Sequence, residues 1–216
     1  MRSCWFVCVI AALALSLSAC GGGEKSVHTP DDAELREMVM ITSEGLPWSV
    51  TLRGDDAKSN EVAANEYPDS EQWLENYDEW ARTGGHSANF KPGGEGFFVV
   101  ETKVEHYSST GGTKSAWSAV RDFMLSEETL QGLLAVGMSD AQIEEVDGEK
   151  VGDESAAFRI AMSAGGETLE SFVVLFRRGG VVAMATILGA EGAATMEDTV
   201  AVAEQLDAHI QDILKR

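Results

Sequence analysis

The chain has 216 residues, of which 36 are acidic and 16 are basic, so its formal net charge at pH 7 is -20. A field of that sign repels nucleic acids and anionic lipid head groups, and no extended basic stripe offsets it. These features argue against nucleic-acid binding, and they favour a soluble monomer or a protein with cationic partners.

The first residues predict an export signal. Arg2 is the only charged residue before position 20, and the apolar run from Trp5 to Leu17 is typical of a signal-peptide core but too short for a permanent transmembrane helix. Residues 17–20 read Leu-Ser-Ala-Cys, which resembles the lipobox of bacterial lipoproteins. That resemblance implies cleavage before Cys20 and attachment of lipid to the cysteine, including palmitate-type acyl chains. The other interpretation is an ordinary secretory signal, because the same small residues suit that peptidase.

A lipidated Cys20 would hold the protein on the outer side of a membrane. Each buried methylene contributes about 0.8 kcal/mol, so two or three acyl chains make attachment effectively permanent. Cys4 and Cys8 fall within the predicted signal peptide, so no disulfide, thiol nucleophile or cysteine-ligated metal is expected in the mature chain. Removal of residues 1–19 takes away Arg2 and no acid, which changes the formal charge to -21. We therefore expect an extracytoplasmic protein, anchored to the cell membrane or to an outer membrane where the source has one.

Three regions are predicted along the chain. Residues 1–19 form the signal peptide, and residues 20–30 form the lipidated cysteine and a flexible tether, because Gly21 to Pro30 has no packable face. Residues 31–216 form a single globular domain, a length that suffices to bury roughly two thirds of its surface.

The first half of the domain predicts two helices and two strands. Asp31 can cap the first helix, and the pair Gly84-Gly85 suits the end of the second. The second helix lies in an acid-rich stretch that we expect to be solvated. The predicted elements are a helix from Asp31 to Ile41, a strand from Trp48 to Leu52, a helix from Ser70 to Arg82 and a long central strand from Phe97 to Tyr107.

The second half predicts a run of hairpins between helices. The glycine pairs at 165–166 and 179–180 suit tight turns, and Thr195 with Asp198 forms a variant of the capping box. Together the elements predict an α+β fold, an antiparallel sheet with helices packed on its faces. The elements are helices from Lys114 to Leu125, from Ser126 and from Thr195, and strands at Ala156 to Ala164, Thr168 to Arg177 and Val181 to Leu188.

Several short motifs carry a family resemblance over most of the mature chain. They resemble those of a group of bacterial envelope lipoproteins of uncharacterised function, akin to PsbP-like and Mog1-like α/β/α sandwiches. The resemblance implies that fold, although Trp48 here follows Leu-Pro directly, without the usual intervening glycine. The motifs are Leu46-Pro47-Trp48, Trp80-Ala81-Arg82, Gly152-Asp153-Glu154-Ser155, Phe176-Arg177-Arg178-Gly179 and the closing helix from Ala203 to Ile210.

Residues 111–115, Gly-Gly-Thr-Lys-Ser, resemble a phosphate loop in outline, because glycines let backbone amides cradle phosphate and lysine meets its charge. Thr113 stands where the glycine before lysine belongs, and Ser108 stands where the first glycine belongs. These departures favour a plain turn followed by a capped helix.

Asp147, Glu149 and Asp153 crowd one glycine-containing loop, and such oxygen ligands can hold calcium. The spacing is not that of an EF-hand, so an acidic turn is the competing interpretation. The four histidines show no zinc-binding spacing, and no cofactor is predicted.

Trp73, Tyr77 and Trp80 recur at helical spacing. Such flat rings can line a groove for a sugar or a peptide, but an aromatic stripe of this kind is more often the buried face of a helix. The flanking charges of Trp80 favour packing of its ring against the predicted central strand.

The sequence contains no nucleophilic-hydrolase motif. We therefore predict a lipid-anchored binding or accessory protein of the cell envelope, with the membrane and a cationic protein or envelope component as its contacts. The alternative is an envelope hydrolase that uses paired carboxylates such as Glu101 and Glu105, which alternate along one strand face.

Overall fold

A computed structural model describes residues 28–216 of the chain. The predicted signal peptide and Cys20 lie outside these residues. The strands are β1 (Val50–Lys58), β2 (Arg82–Pro92), β3 (Phe97–Tyr107), β4 (Ser139–Val146), β5 (Glu154–Ala164), β6 (Glu167–Arg178) and β7 (Val181–Ala190). The helices are α1 (Asp32–Val39), α2 (Asn60–Ala64), α3 (Ser70–Glu79), α4 (Thr110–Met124), α5 (Glu127–Ala135) and α6 (Met196–Leu214).

All seven strands belong to one antiparallel sheet, in the order β1-β2-β3-β7-β6-β5-β4. Helices α1 and α6 cover one face, and α2, α3 and α4 cover the other. Helix α5 lies beside β4 at one edge of the sheet. The prediction of an α+β fold with helices packed on the faces of an antiparallel sheet is confirmed. None of the described helices is both long and apolar enough to cross a membrane.

The first core lies between α1, α6 and the centre of the sheet. Capping boxes begin both helices, Asp31 with Glu34 and Thr195 with Asp198, so the predicted start signals are confirmed. The Thr102 hydroxyl on β3 donates to the carbonyl oxygen of Val39 (2.7 Å) and ties the end of α1 to the sheet. The apolar stripe that this core buries includes Leu35, Met38, Val39, Val200, Ala203, Leu206, Ile210 and Ile213.

The second core lies between α2, α3, α4 and the opposite face of the sheet. Because successive strand side chains point to opposite faces, Val182 packs here while its neighbours on β7 enter the first core. Phe158 is fully buried at the centre of this layer. Its largest other members are Trp73, Tyr77, Tyr107, Trp117, Ile160 and Leu175.

Strand β2 was not predicted. Helix α3 ends at Glu79, and Gly84-Gly85 lies inside β2 rather than ending the helix, so that part of the prediction is wrong. The segment lacks the apolar alternation of a typical strand, but it pairs with β1 on one side and β3 on the other. A side-chain carbon at Gly85 would come within 2.7 Å of the Val104 carbonyl oxygen. Glycine is therefore needed here because β2 and β3 approach each other closely.

Two further boundaries differ from the sequence prediction. Helix α4 begins at Thr110 instead of Lys114 and so includes both glycines of residues 111–112. A side chain at Gly112 would collide with the Trp80 carbonyl oxygen, which explains the glycine by packing. Strand β4 was also not predicted, and it lies at the edge of the sheet with no buried residue of its own.

Candidate functional site

Strand β3 presents alternating charges to the face covered by α3. Glu101, Lys103 and Glu105 share that face because they are two residues apart. Two of them join a network that we call the buried charge cluster. Its members are Glu66, Tyr77, Arg82, Lys103, Glu105 and Tyr107.

Glu105 is the centre of the buried charge cluster and is only 3% exposed. Its carboxylate accepts a hydrogen bond from the Tyr107 hydroxyl at 2.7 Å, and it lies 3.2 Å from the Lys103 Nζ and 3.5 Å from the Arg82 Nη2. Burial by itself would raise the pKa of Glu105, but Lys103, Arg82 and the hydroxyl outweigh burial and lower the pKa to about 2. Glu105 is therefore an ionised carboxylate at neutral pH.

The two bases that flank Glu105 each have further partners. Arg82 Nη1 donates to Asn60 Oδ1 (2.8 Å) and to the Lys58 carbonyl oxygen (3.1 Å). Lys103 Nζ donates to Glu66 Oε2 (2.6 Å). Burial lowers the pKa of Lys103, but the neighbouring carboxylates raise it above its ordinary value. Glu66 also pairs with Lys58 Nζ (3.0 Å), so two acids meet three bases within the fold.

This geometry does not provide the protonated acid at Glu105 that the hydrolase hypothesis would use. A carboxylate whose pKa is about 2 carries no proton to donate near neutral pH. Burial raises the pKa of Glu101. The cavity beside the cluster, lined by Tyr67, Lys103 and Glu105, measures about 40 Å³. At about 30 Å³ per water molecule, it has room for one water and not for a substrate.

The aromatic helix packs as core rather than as an open groove. Trp73 is 9% exposed and Tyr77 is fully buried. Trp80 caps the end of α3, is half-buried, and meets the Trp73 ring edge-to-face at 6.0 Å between centroids. Tyr67 stacks on Trp73 at 3.6 Å. These rings therefore bury one another, which leaves little of Trp73 or Tyr77 to contact a ligand.

The acidic loop after β4 is divided between two environments. Asp153 accepts hydrogen bonds from Arg178 Nη1 (3.0 Å) and from the Gly179 backbone amide (2.9 Å). These bonds hold the turn between β6 and β7 in place. Asp147 and Glu149 are exposed. Among residues 28–216, no three or more His, Cys, Asp or Glu side chains lie close enough to hold a metal ion, so the three predicted ligands are not brought together.

The same loop instead forms one wall of an open groove against α6. We call this the acidic groove; its volume is about 520 Å³. Met196, Val200 and Ala201 supply apolar surface in the groove. None of its acids forms a salt bridge with any residue in the described part of the chain. Its acids are Asp147, Glu149, Glu197 and Glu204.

Glu197 and Glu204 were not predicted as site residues. They are seven residues apart on α6, and that spacing places them on one helix face, two turns from each other. This signal was available, but only the tertiary structure shows that the loop with Asp147 and Glu149 lies opposite that face.

No family model and no curated protein matches this chain. Among solved structures, the chain is similar to the extracellular domain of PknH from Mycobacterium tuberculosis, with a TM-score of 0.48 and 8% identity over 84% of this chain and 92% of that chain. It is also similar to a putative uncharacterised protein, the Rv0999 ortholog, from Mycobacterium smegmatis. That match has a TM-score of 0.43 and 12% identity over 88% of this chain and 98% of the other.

Proposed function

We propose that this chain is a lipid-anchored, non-catalytic binding or accessory protein of the cell envelope and that it meets its partner at the acidic groove. The observation that carries the proposal is the charge of this groove. Its four carboxylates surround an apolar surface, and no basic residue among those described neutralises them by a salt bridge. The lipobox resemblance at residues 17–20 supports export and anchoring.

The groove suits a cationic partner that also offers an apolar side chain. A basic protein segment or a cationic envelope component would gain charge complementarity from the four acids and apolar contact from Met196 and Ala201. The net charge of -20 would also speed the approach of such a partner.

The anchor is tested by the Cys20→Ser substitution. We expect the variant to incorporate no labelled palmitate and to leave the detergent-extracted membrane fraction. Cys8→Ser is the matched control, since it removes a cysteine from the predicted signal core and should leave labelling intact. Label that still enters the Cys20→Ser chain would show that the lipobox interpretation is wrong.

The groove is tested with a defined probe, a short peptide of lysine and leucine residues, at about 0.15 M salt so that distant charges are screened. The double substitution Glu197→Gln with Glu204→Gln should weaken binding about fivefold, since two rim charges contribute about 0.5 kcal/mol each. The control, Glu71→Gln with Glu75→Gln, removes the same charge from exposed positions on α3. Equal losses in the two double variants would mean that only overall charge matters and would contradict the groove.

A further inference from the structure

The amino end of α4 lines a small, half-open pocket that the proposed function does not use. Its volume is about 130 Å³, with room for about four water molecules at 30 Å³ each and hence for a tetrahedral oxyanion. The hydroxyl groups and backbone of Ser108, Ser109 and Thr110 line one side of this pocket. The residues that matter here are Thr29, His106, Ser108, Ser109, Thr110 and Gly180.

The helix end offers backbone donors to this pocket. Helix α4 has 15 residues, and its N-cap hydroxyl, Ser109, accepts from the Gly112 amide at 2.9 Å. The amides of Thr110 and Gly111 have no hydrogen-bond partner in the described part of the chain. The partial positive charge of a helix amino terminus and such free amides favour an anion.

His106 is the second, independent feature. The residue is only 2% exposed, and its Nδ1 lies 2.6 Å from the Thr83 hydroxyl oxygen. The opposite nitrogen, Nε2, has no hydrogen-bond partner between residues 28 and 216. It faces Gly180 in the pocket wall, where a side-chain carbon would stand 3.3 Å from it.

His106 can donate a hydrogen bond into the pocket when its ring proton is on Nε2. Burial, aided by the charge of His28, lowers the pKa of His106 to about 4, so the ring is neutral at pH 7 and carries one proton. The Thr83 hydroxyl lies closer to Nδ1 (2.6 Å) than to the His106 carbonyl oxygen (3.3 Å). When this hydroxyl donates to Nδ1 instead of to that carbonyl oxygen, the ring proton is on Nε2 and is available to an anion in the pocket.

We propose that this pocket binds an oxyanion of the phosphate class, held by the free Thr110 amide at the start of α4, by His106 Nε2–H and by the neighbouring hydroxyls. The nearby carboxylate of Asp153 is paired with Arg178 (3.0 Å), which reduces its repulsion of such a ligand. The glycines of residues 111–112 thus serve a helix amino terminus rather than a nucleotide phosphate loop.

The pocket is tested by titrating the full-length protein, in phosphatidylcholine nanodiscs, with inorganic phosphate at constant ionic strength. We expect the nuclear magnetic resonance signals of the Thr110 and Gly111 amides and of His106 Nε2 to shift together. Thr110→Asp should weaken binding by at least about tenfold, because it places a like charge beside the anion. The same charge favours the first turn of a helix, so this variant should stay folded.

The matched control is Gln72→Glu, which adds the same charge to the first turn of α3 and should bind phosphate as the parent does. The source of the anion is separated by a second titration, with phosphatidylglycerol nanodiscs and no free phosphate. Shifts with free phosphate identify a small ion, and shifts only with phosphatidylglycerol identify a lipid head group. The absence of shifts in both, or parent-like binding by Thr110→Asp, would overturn the proposal.

Discussion

The carboxylates of the buried charge cluster and those of the acidic groove differ in their exposure and in their counter-charges. In the cluster, Glu105 is enclosed, and Lys103 and Arg82 lie within 3.5 Å of it. In the groove, four acids face solvent around an apolar surface and lack such counter-charges among the described residues. Because an enclosed charge must be paired inside the protein, removal of one partner from the cluster destabilises the fold. Charges left in an open groove can instead be neutralised by a partner.

The largest effect on stability should come from the centre of the cluster. Glu105→Gln leaves Arg82 enclosed without a counter-charge and leaves Lys103 with Glu66 alone, so we expect the free energy of unfolding to fall by roughly 3 to 5 kcal/mol. Urea denaturation of the variant and the parent measures this difference. A loss below about 1 kcal/mol, typical of a surface pair, would mean that the cluster is open to water.

The same interaction should appear in the pH dependence of stability. The folded pKa of Glu105 lies below its ordinary value of 4.5, at about 2, so its contribution is fully present above pH 5 and is lost as the pH falls towards 2. The unfolding free energy of the parent should therefore decline across that window, and that of Glu105→Gln should decline less. Parallel curves for the two proteins would contradict the depressed pKa.

A smaller effect is expected from one hydroxyl group of the cluster. Tyr107→Phe removes the 2.7 Å hydrogen bond to the Glu105 carboxylate and should cost roughly 1.5 to 3 kcal/mol of unfolding free energy. The control is Tyr77→Phe, whose hydroxyl lies 3.5 Å from the same carboxylate and should cost less than about 1 kcal/mol. Equal costs in thermal or urea unfolding would remove the distinction between the two tyrosines.

The smallest effect is expected in the acidic groove. Glu204→Gln should change the unfolding free energy by no more than about 0.5 kcal/mol, since this exposed acid makes no salt bridge with a described residue. The same substitution should still weaken binding of the lysine and leucine peptide. A large loss of stability would show that the groove acids serve the fold, as Glu105 does.

Part of the architecture follows from patterns within single segments. The apolar stripe and capping box of α6 and the glycine turns of β5, β6 and β7 are local signals, and the structure confirms them. Strand β2 has no such signal, since its residues are held by pairing with β1 and β3. The prediction that α3 ends at Gly84-Gly85 was wrong. Glycine is typical of helix ends, but it also occurs where two strands approach closely, and the latter is the case at Gly85.

The sequence by itself determined the acidic charge, the lipobox resemblance, the fold class and the helical spacing of Trp73, Tyr77 and Trp80. The tertiary structure decided that Trp73 and Tyr77 are core. It also decided which carboxylates are neutralised: Glu105 meets Arg82 across paired strands, whereas Glu204 faces a distant loop with no base to pair with among the described residues. The physical reason is that charge interactions depend on distance and burial, and residues far apart in the chain acquire both only when the sheet and helices assemble.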